Sequence, residues 1–311
     1  MGEVGKRIIS GIIIAAVFIF SFNYDGMAKI CLYLFITIVA LLTLHEFYIL
    51  VQHKQQGKPF ILFGLIIGFI IITFFYLHNL RYETLLQIRG SNVSLFNFFF
   101  MLRLKDSIFF ILSSSLFFAV LIFFVIQIKN QQIESTIFSL AITIFGLIYI
   151  IIPMSHMFFL KNLKSGTFYI WFVVWITVAS DSGAYICGKL FGKHKIGFKL
   201  SPNKTYEGYI GGWFVQLGFT TVFYYSIKTY FPVPNFNFAI IIAFSLVIYL
   251  VSIIGDLSES LLKRDAGQKD SGTIIPGHGG MLDTLDALIF TLPAFFYTYK
   301  VINLFIPLDR L

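Results

Sequence analysis

The sequence predicts an all-α polytopic integral membrane protein of about nine transmembrane helices, with the N-terminus inside and the C-terminus outside. Three observations carry this expectation. Hydrophobic residues make up 58% of the 311 positions and charged residues 12%, about half the charge of a soluble domain. Apolar stretches of roughly 20 residues, the length that crosses a bilayer, recur along the whole chain. Lysine and arginine gather in alternate connections, as they do on the cytoplasmic side of membrane proteins.

Taken in order, the spans are expected at roughly 8–24, 27–50, 60–77, 107–127, 136–158, 167–187, 208–230, 237–258 and 284–306. Before the first, Lys6-Arg7 precede an apolar run from Ile8 to Phe20. A signal peptide has this shape, but no small-residue cleavage site follows, so the run reads as an uncleaved first span. The connections at 51–59, 128–135, 188–207 and 259–283 then fall inside. They carry Lys54, Lys58, Lys129, five lysines from Lys189 to Lys204, and Lys263, Arg264 and Lys269. The opposite connection at 231–236, FPVPNF, is uncharged. Two connections depart from the pattern. The stretch 78–106 holds Arg81, Arg89, Arg103 and Lys105, and another holds Lys161 and Lys164, yet both fall outside. An interfacial or re-entrant segment at 92–104 is one way to resolve the first.

The net charge of +8 follows from these loops and suits anionic lipid surfaces; it does not argue for nucleic acid. Cys31 and Cys187 both lie in apolar runs, which disfavours a disulfide framework or a thiolate metal site. The phenylalanine run Phe98-Phe99-Phe100 reads as packing or lipid contact.

Charge is unevenly placed. Two windows, Asp181–Glu207 and Asp256–Asp286, hold 16 of the 38 charged residues, so the candidate chemistry is sought there. Polar loops alone would explain the density; the positions of the acids do not fit that account. Asp181 falls near the end of an apolar span, where an acid is costly and usually faces a polar interior. Glycines and lysines follow, and glycine lets backbone amides approach a ligand closely. The segment is not a P-loop, since GxxxxGK[ST] is absent. Ser201-Pro202-Asn203 signals a turn, and Lys204-Thr205 open the next helix, a plausible place for an anion. Asp256 ends the apolar run Ile240–Ile254. Glu259, Ser260, Lys263 and Arg264 share its helix face, although the charges there could be simple i,i+4 and i,i+7 pairs. The glycine-rich segment Asp270–Gly280 follows, and Asp283 can cap the next helix, with Asp286 one turn on.

Carboxylates at Asp181, Asp256 and Asp283 thus sit at membrane-edge positions on three helices. A few oxygen ligands, completed by phosphate, describe a Mg²⁺ site. Lys204, Lys263, Arg264 and Lys269 are placed to hold phosphates. The chemistry indicated is phosphoryl or nucleotidyl transfer.

These residues resemble the phosphatidate cytidylyltransferase (CDP-diacylglycerol synthase) family. Its C-terminal signature is matched by Ser260, Leu262, Lys263, Arg264, Lys269, Asp270, Gly272, Ile275, Pro276, His278, Gly279, Gly280, Met281, Asp283 and Asp286. SPNKTYEG at 201–208 resembles the family's SPxKTxEG segment, and ASDSGAY resembles its Asp-x-Gly-Ala-Tyr. One position departs: Thr284 stands where the family usually has arginine. The resemblance implies CTP and phosphatidic acid as substrates, CDP-diacylglycerol and pyrophosphate as products, and a homodimer in a bacterial inner membrane with the site facing the cytoplasm. It implies Mg²⁺ at Asp256 and Asp283, with a second, monovalent cation as a further expectation. Asp181, Lys204, Ser260, Lys263 and Arg264 are the expected catalytic residues. Ser201, Lys204, Lys263, Arg264, Lys269 and His278 are the expected substrate contacts. Residues 1–165 would be a scaffold with possible dimer contacts, and residues 166–311 the catalytic region with polar loops 188–207 and 259–283.

Two other readings stay open at this point. One is a CTP-dependent kinase or cytidylyltransferase acting on another membrane lipid. The other is a transporter using buried acids, for which His45-Glu46 inside the second span is the best support; the absence of internal repeats opposes it.

Overall fold

The computed structural model describes residues 28–52, 57–88, 107–130, 134–197, 201–230, 233–275 and 279–308. The first expected span, the segment 92–104 and His278 lie outside the described residues. The described chain is helical: α1 (Ala28–Gln52), α2 (Ile61–Ile88), α3 (Ser107–Asn130), α4 (Thr136–Gly146), a π-helical turn (Leu147–Ile151), α5 (Ile152–Lys161), α6 (Gly166–Phe191), α7 (Tyr206–Tyr230), α8 (Phe238–Asp265) and α9 (Met281–Phe305). Extended pairing among these residues is limited to the isolated bridges Lys195–Thr205 and Ile275–Gly279.

Among the described residues, six stretches are long and apolar enough to cross a membrane: Ile30–Gln52, Ile61–Leu80, Thr136–Lys161, Gly166–Phe191, Phe238–Asp265 and Met281–Phe305. Helices also stand at the expected spans 107–127 and 208–230, without being among those six. In α7 the reason is visible in its sequence. Gly208, Gly211, Gly212, Gln216 and Thr220 interrupt the apolar pattern, and they serve packing against neighbouring helices.

The chain divides into two compact units, Met1–Phe158 and Phe159–Leu311. In the first, Tyr48 donates its hydroxyl proton to the carbonyl of Thr143 at 2.7 Å. Gly64 and Gly146 make room for that ring. Phe47 packs against it, and Phe145 and Tyr149 pack on Phe47 and on each other.

The second unit is an up-and-down bundle of α6, α7, α8 and α9. Lipid supplies no hydrophobic drive between helices, so close backbone approach and interhelical hydrogen bonds hold such a bundle. Both devices are present. A Cβ on Gly212 of α7 would lie 2.7 Å from the Ala184 Cα of α6, and one on Gly183 would lie 2.9 Å from the Gly212 carbonyl. A Cβ on Gly255 of α8 would lie 2.9 Å from the Asp286 carbonyl of α9. Gln216 and Ser245 exchange hydrogen bonds between α7 and α8, and Thr177 meets Thr291 at 2.9 Å between α6 and α9. One end of the bundle is filled by Phe168, Tyr169, Phe172, Tyr224, Phe236, Phe244 and Phe295. There the Tyr224 hydroxyl donates to the Pro234 carbonyl and accepts from the Phe236 amide. At the other end, α6 and α8 finish while α7 and α9 begin, and that is where the acids gather.

Candidate active site

A cavity of about 540 Å³ opens at this end of the second unit. Asp181 of α6, Asp256 of α8, and Asp283 and Asp286 of α9 line it, together with Lys189, Lys204, Thr205 and Tyr209. The glycine contacts explain how. Gly183 lies two residues beyond Asp181 and presses α6 onto α7, whose start carries Lys204. Gly255 precedes Asp256 and presses α8 onto the first turns of α9.

Each acid is held differently. Asp181 accepts a hydrogen bond from the Ser252 hydroxyl of α8 at 3.0 Å, and Ser252 is fully buried. Asp256 forms an ion pair with Lys204. Asp283 accepts from the Lys263 ammonium at 2.7 Å and from the Ser271 and Gly280 amides at 3.0 and 2.8 Å. It occupies the third position of α9 and reaches back to the amide of Gly280, the residue that caps the helix, so it does serve the helix start, while still facing the cavity. Gly279 has φ +98, and a Cβ there would lie 2.7 Å from the Asp283 carboxylate; only glycine suits that turn. Asp286 accepts from the Ala287 amide at 2.6 Å.

The segment before α7 is a small hairpin-like clip. The Ile196 amide bonds the Lys204 carbonyl at 3.0 Å and the Tyr206 amide bonds the His194 carbonyl at 3.1 Å. Glu207 accepts from the Lys193 and His194 amides and from His194 Nδ1 at 2.5 Å. Those donors hold its carboxyl well below the ordinary value of 4.5, at about 2, with the His194 side chain the largest contributor. Thr205 caps α7 by accepting from the Gly208 amide at 3.1 Å. Lys204 is thus presented from a braced turn, its ammonium 5.6 Å from the Tyr209 ring centroid. Burial pushes its pKa down, an effect partly opposed by the negative charges of Asp181 and Asp286.

Of the residues expected from sequence, Asp181, Asp256, Asp283 and Lys204 line the cavity and Lys263 touches it through Asp283. Ser201, Ser260, Arg264 and Lys269 are not part of its wall; Arg264 and Lys269 are exposed. Thr284 is exposed, and its hydroxyl donates to the Gly280 carbonyl at 3.1 Å. Sequence reasoning left out of the site Ser252, whose burial on an apolar helix gives no signal, and Glu259, which showed only as one charge on a stripe. Asp286 was legible through its spacing from Asp283.

Among the described residues no three His, Cys, Asp or Glu side chains converge as a ready-made metal cage. The donor set nonetheless suits a hard cation: four carboxylates from three helices face one cavity, against the ammonium groups of Lys189, Lys204 and, through Asp283, Lys263. An anionic substrate entering here needs further positive charge, and carboxylate oxygens are the ligands that Mg²⁺ takes.

The fold and site define a helical membrane protein with an acidic, lysine-bridged cavity at one end of a four-helix unit. The cytidylyltransferase family model matches residues 5–302, and the chain belongs to that family. It is 42% identical over 142 residues to a phosphatidate cytidylyltransferase of Staphylococcus aureus, covering 46% of this chain and 53% of the relative. A phosphatidate cytidylyltransferase of Haemophilus influenzae is 43% identical over 132 residues, covering 42% of this chain and 44% of the relative. One of Bacillus subtilis is 38% identical over 151 residues, covering 48% and 54%. The chain spans about half the length of the curated relatives it matches.

Proposed function

We propose that this protein is a phosphatidate cytidylyltransferase, moving CMP from CTP to phosphatidic acid to give CDP-diacylglycerol and pyrophosphate. One observation carries the reading: carboxylates of three helices and the lysine that opens α7 share one cavity, inside the segment that the family model matches.

The phosphate oxygen of phosphatidic acid attacks the α-phosphorus of CTP. A new P–O bond forms, the α–β bridging bond breaks, and pyrophosphate leaves with the electron pair. The attacking phosphate is already an anion near neutral pH, so no dedicated general base is required. The difficulty is bringing two anions together, and positioned cations address it. Lys204 borders the cavity and can exchange Asp256 for a phosphate oxygen. Lys263, anchored at Asp283, is placed for a second phosphate contact. Asp256 and Asp283 would hold Mg²⁺, with Asp181 behind that ion or at a second metal, and the metal would neutralise charge on the nucleotide phosphates. Acyl chains would remain in lipid, which accounts for a nucleotide reaction on a membrane fold. Nine spans running N-in to C-out, a homodimer, and a site facing the cytoplasm from a bacterial inner membrane belong to the same reading.

The test is detergent-solubilised protein with CTP, phosphatidic acid and Mg²⁺. Pyrophosphate release that depends on phosphatidic acid, with a CDP-lipid product, is the expected result. CDP plus a phosphorylated lipid would instead identify a CTP-dependent kinase. Near-full turnover in both Asp256→Asn and Asp283→Asn would remove the metal assignment.

A further inference from the structure

Glu259 is the most enclosed acid at this end of the bundle, with its side chain 1% exposed. It lies on α8, one of the helices apolar enough to cross a membrane. Its Oε2 is 2.5 Å from the Lys263 ammonium. Its Oε1 is buried without a hydrogen-bond partner among the described residues. The same ammonium lies 2.7 Å from Asp283 Oδ1, and Lys263 is only 16% exposed. Lys263 is therefore bridged between an acid that faces the cavity and an acid that does not.

An ordinary i,i+4 pair on a helix surface gives weak support and is solvated. This one is desolvated, and a half-satisfied buried ion pair is a poor stabilising device, since apolar residues of similar size often do as well. Its geometry has a different consequence. Asp283 is also held by the amides of Ser271 and Gly280, so it stays in place whichever cation it meets. When Asp283 engages a ligand, Lys263 loses part of its counter-charge. Glu259 keeps its contact with the ammonium from the side away from the cavity, where its side chain is sealed from solvent.

We infer that Glu259 is a positioning residue that anchors the Lys263 ammonium at the cavity edge independently of what Asp283 binds. This inference rests on the proposed reaction for its kinetic consequence, but not for the pairing itself. Lys263 would otherwise be free either to collapse fully onto Asp283 or to swing toward solvent. In both cases the cation that meets the nucleotide phosphates is misplaced.

The experiment is a double-mutant cycle of Glu259→Gln and Lys263→Met on the full chain in detergent, read by thermal unfolding and by kcat/KM for CTP. Lys263→Met alone strands a buried carboxylate and should lower the melting temperature by roughly 10 °C. Adding Glu259→Gln should restore most of that loss. Glu259→Gln alone should lower kcat/KM for CTP on the order of 10- to 100-fold, with Glu259→Asp intermediate, and should add nothing in the Lys263→Met background. An undiminished effect of Glu259→Gln after Lys263 is removed, in both readouts, overturns the inference. So does wild-type kinetics in Glu259→Gln. If the unmutated protein forms no CDP-lipid, the reaction is wrong; the melting temperatures alone then decide whether Glu259 acts through Lys263.

Discussion

Gly212 offers the sharpest test of what sets the site. A Cβ there would lie 2.6 Å from the Tyr249 hydroxyl, 2.7 Å from the Ala184 Cα and 2.8 Å from the Ala184 nitrogen. Carbon atoms need about 3.5–4.0 Å, so in Gly212→Ala the helices must part by roughly 0.8 Å or more. Two of the three atoms are backbone and cannot rotate away. Overpacking of this kind costs about 1–3 kcal/mol, offset by up to about 1 kcal/mol from the better helix propensity of alanine. A net loss of ~1 kcal/mol corresponds to a melting temperature lower by roughly 3 °C. The rate should suffer more. The separation moves α6, with Asp181, away from the start of α7, with Lys204, and misplacement of about 1 Å can cost on the order of 100-fold. Gly218 is the control. It lies in the same helix, and a Cβ on it meets nothing within 4 Å, so Gly218→Ala should be neutral or slightly stabilising. The assay is CDP-lipid formation from CTP and phosphatidic acid, with thermal unfolding of the same preparations. If both variants behave alike, backbone contact between α6 and α7 does not set the site.

Lys204→Met should reduce turnover on the order of 100-fold or more, measured as pyrophosphate release, while Lys204→Arg retains part of it. Because burial lowers the Lys204 pKa and its charge is lost as pH rises through that value, the alkaline limb of the rate profile should move to higher pH in Lys204→Arg. The Glu207 carboxyl is depressed to about 2 from 4.5. Its contribution is complete above the ordinary value and is lost as pH falls toward the depressed one. The difference in melting temperature between the unmutated protein and Glu207→Gln should therefore be present at pH 5 and close between about 4.5 and 2. Thr284→Arg places a long side chain at an exposed position, so it should change stability by no more than about 0.5 kcal/mol and leave CDP-lipid formation intact.

The helices themselves were readable without the structure, because a span must satisfy every backbone group internally and so announces itself as an apolar run of fixed length. Asp181, Asp256 and Asp283 stood out for a related reason: an acid at the end of such a run is costly enough to need an explanation. The spacing of Lys263 and Glu259 was visible too, as four residues on one helix. The pairing across helices was not. Nothing local couples Lys204 to Asp256, Ser252 to Asp181, or Gly212 to Ala184. These contacts depend on which helix faces lie together, and in lipid that choice is made by fit between backbones rather than by hydrophobicity, which is the same on every side. The chain order alone therefore determined where the described helices stand, the two polar segments and the acids within them. Tertiary structure decided that the acids of three helices share one cavity, and that Lys263 is gripped from behind by a glutamate sealed away from solvent.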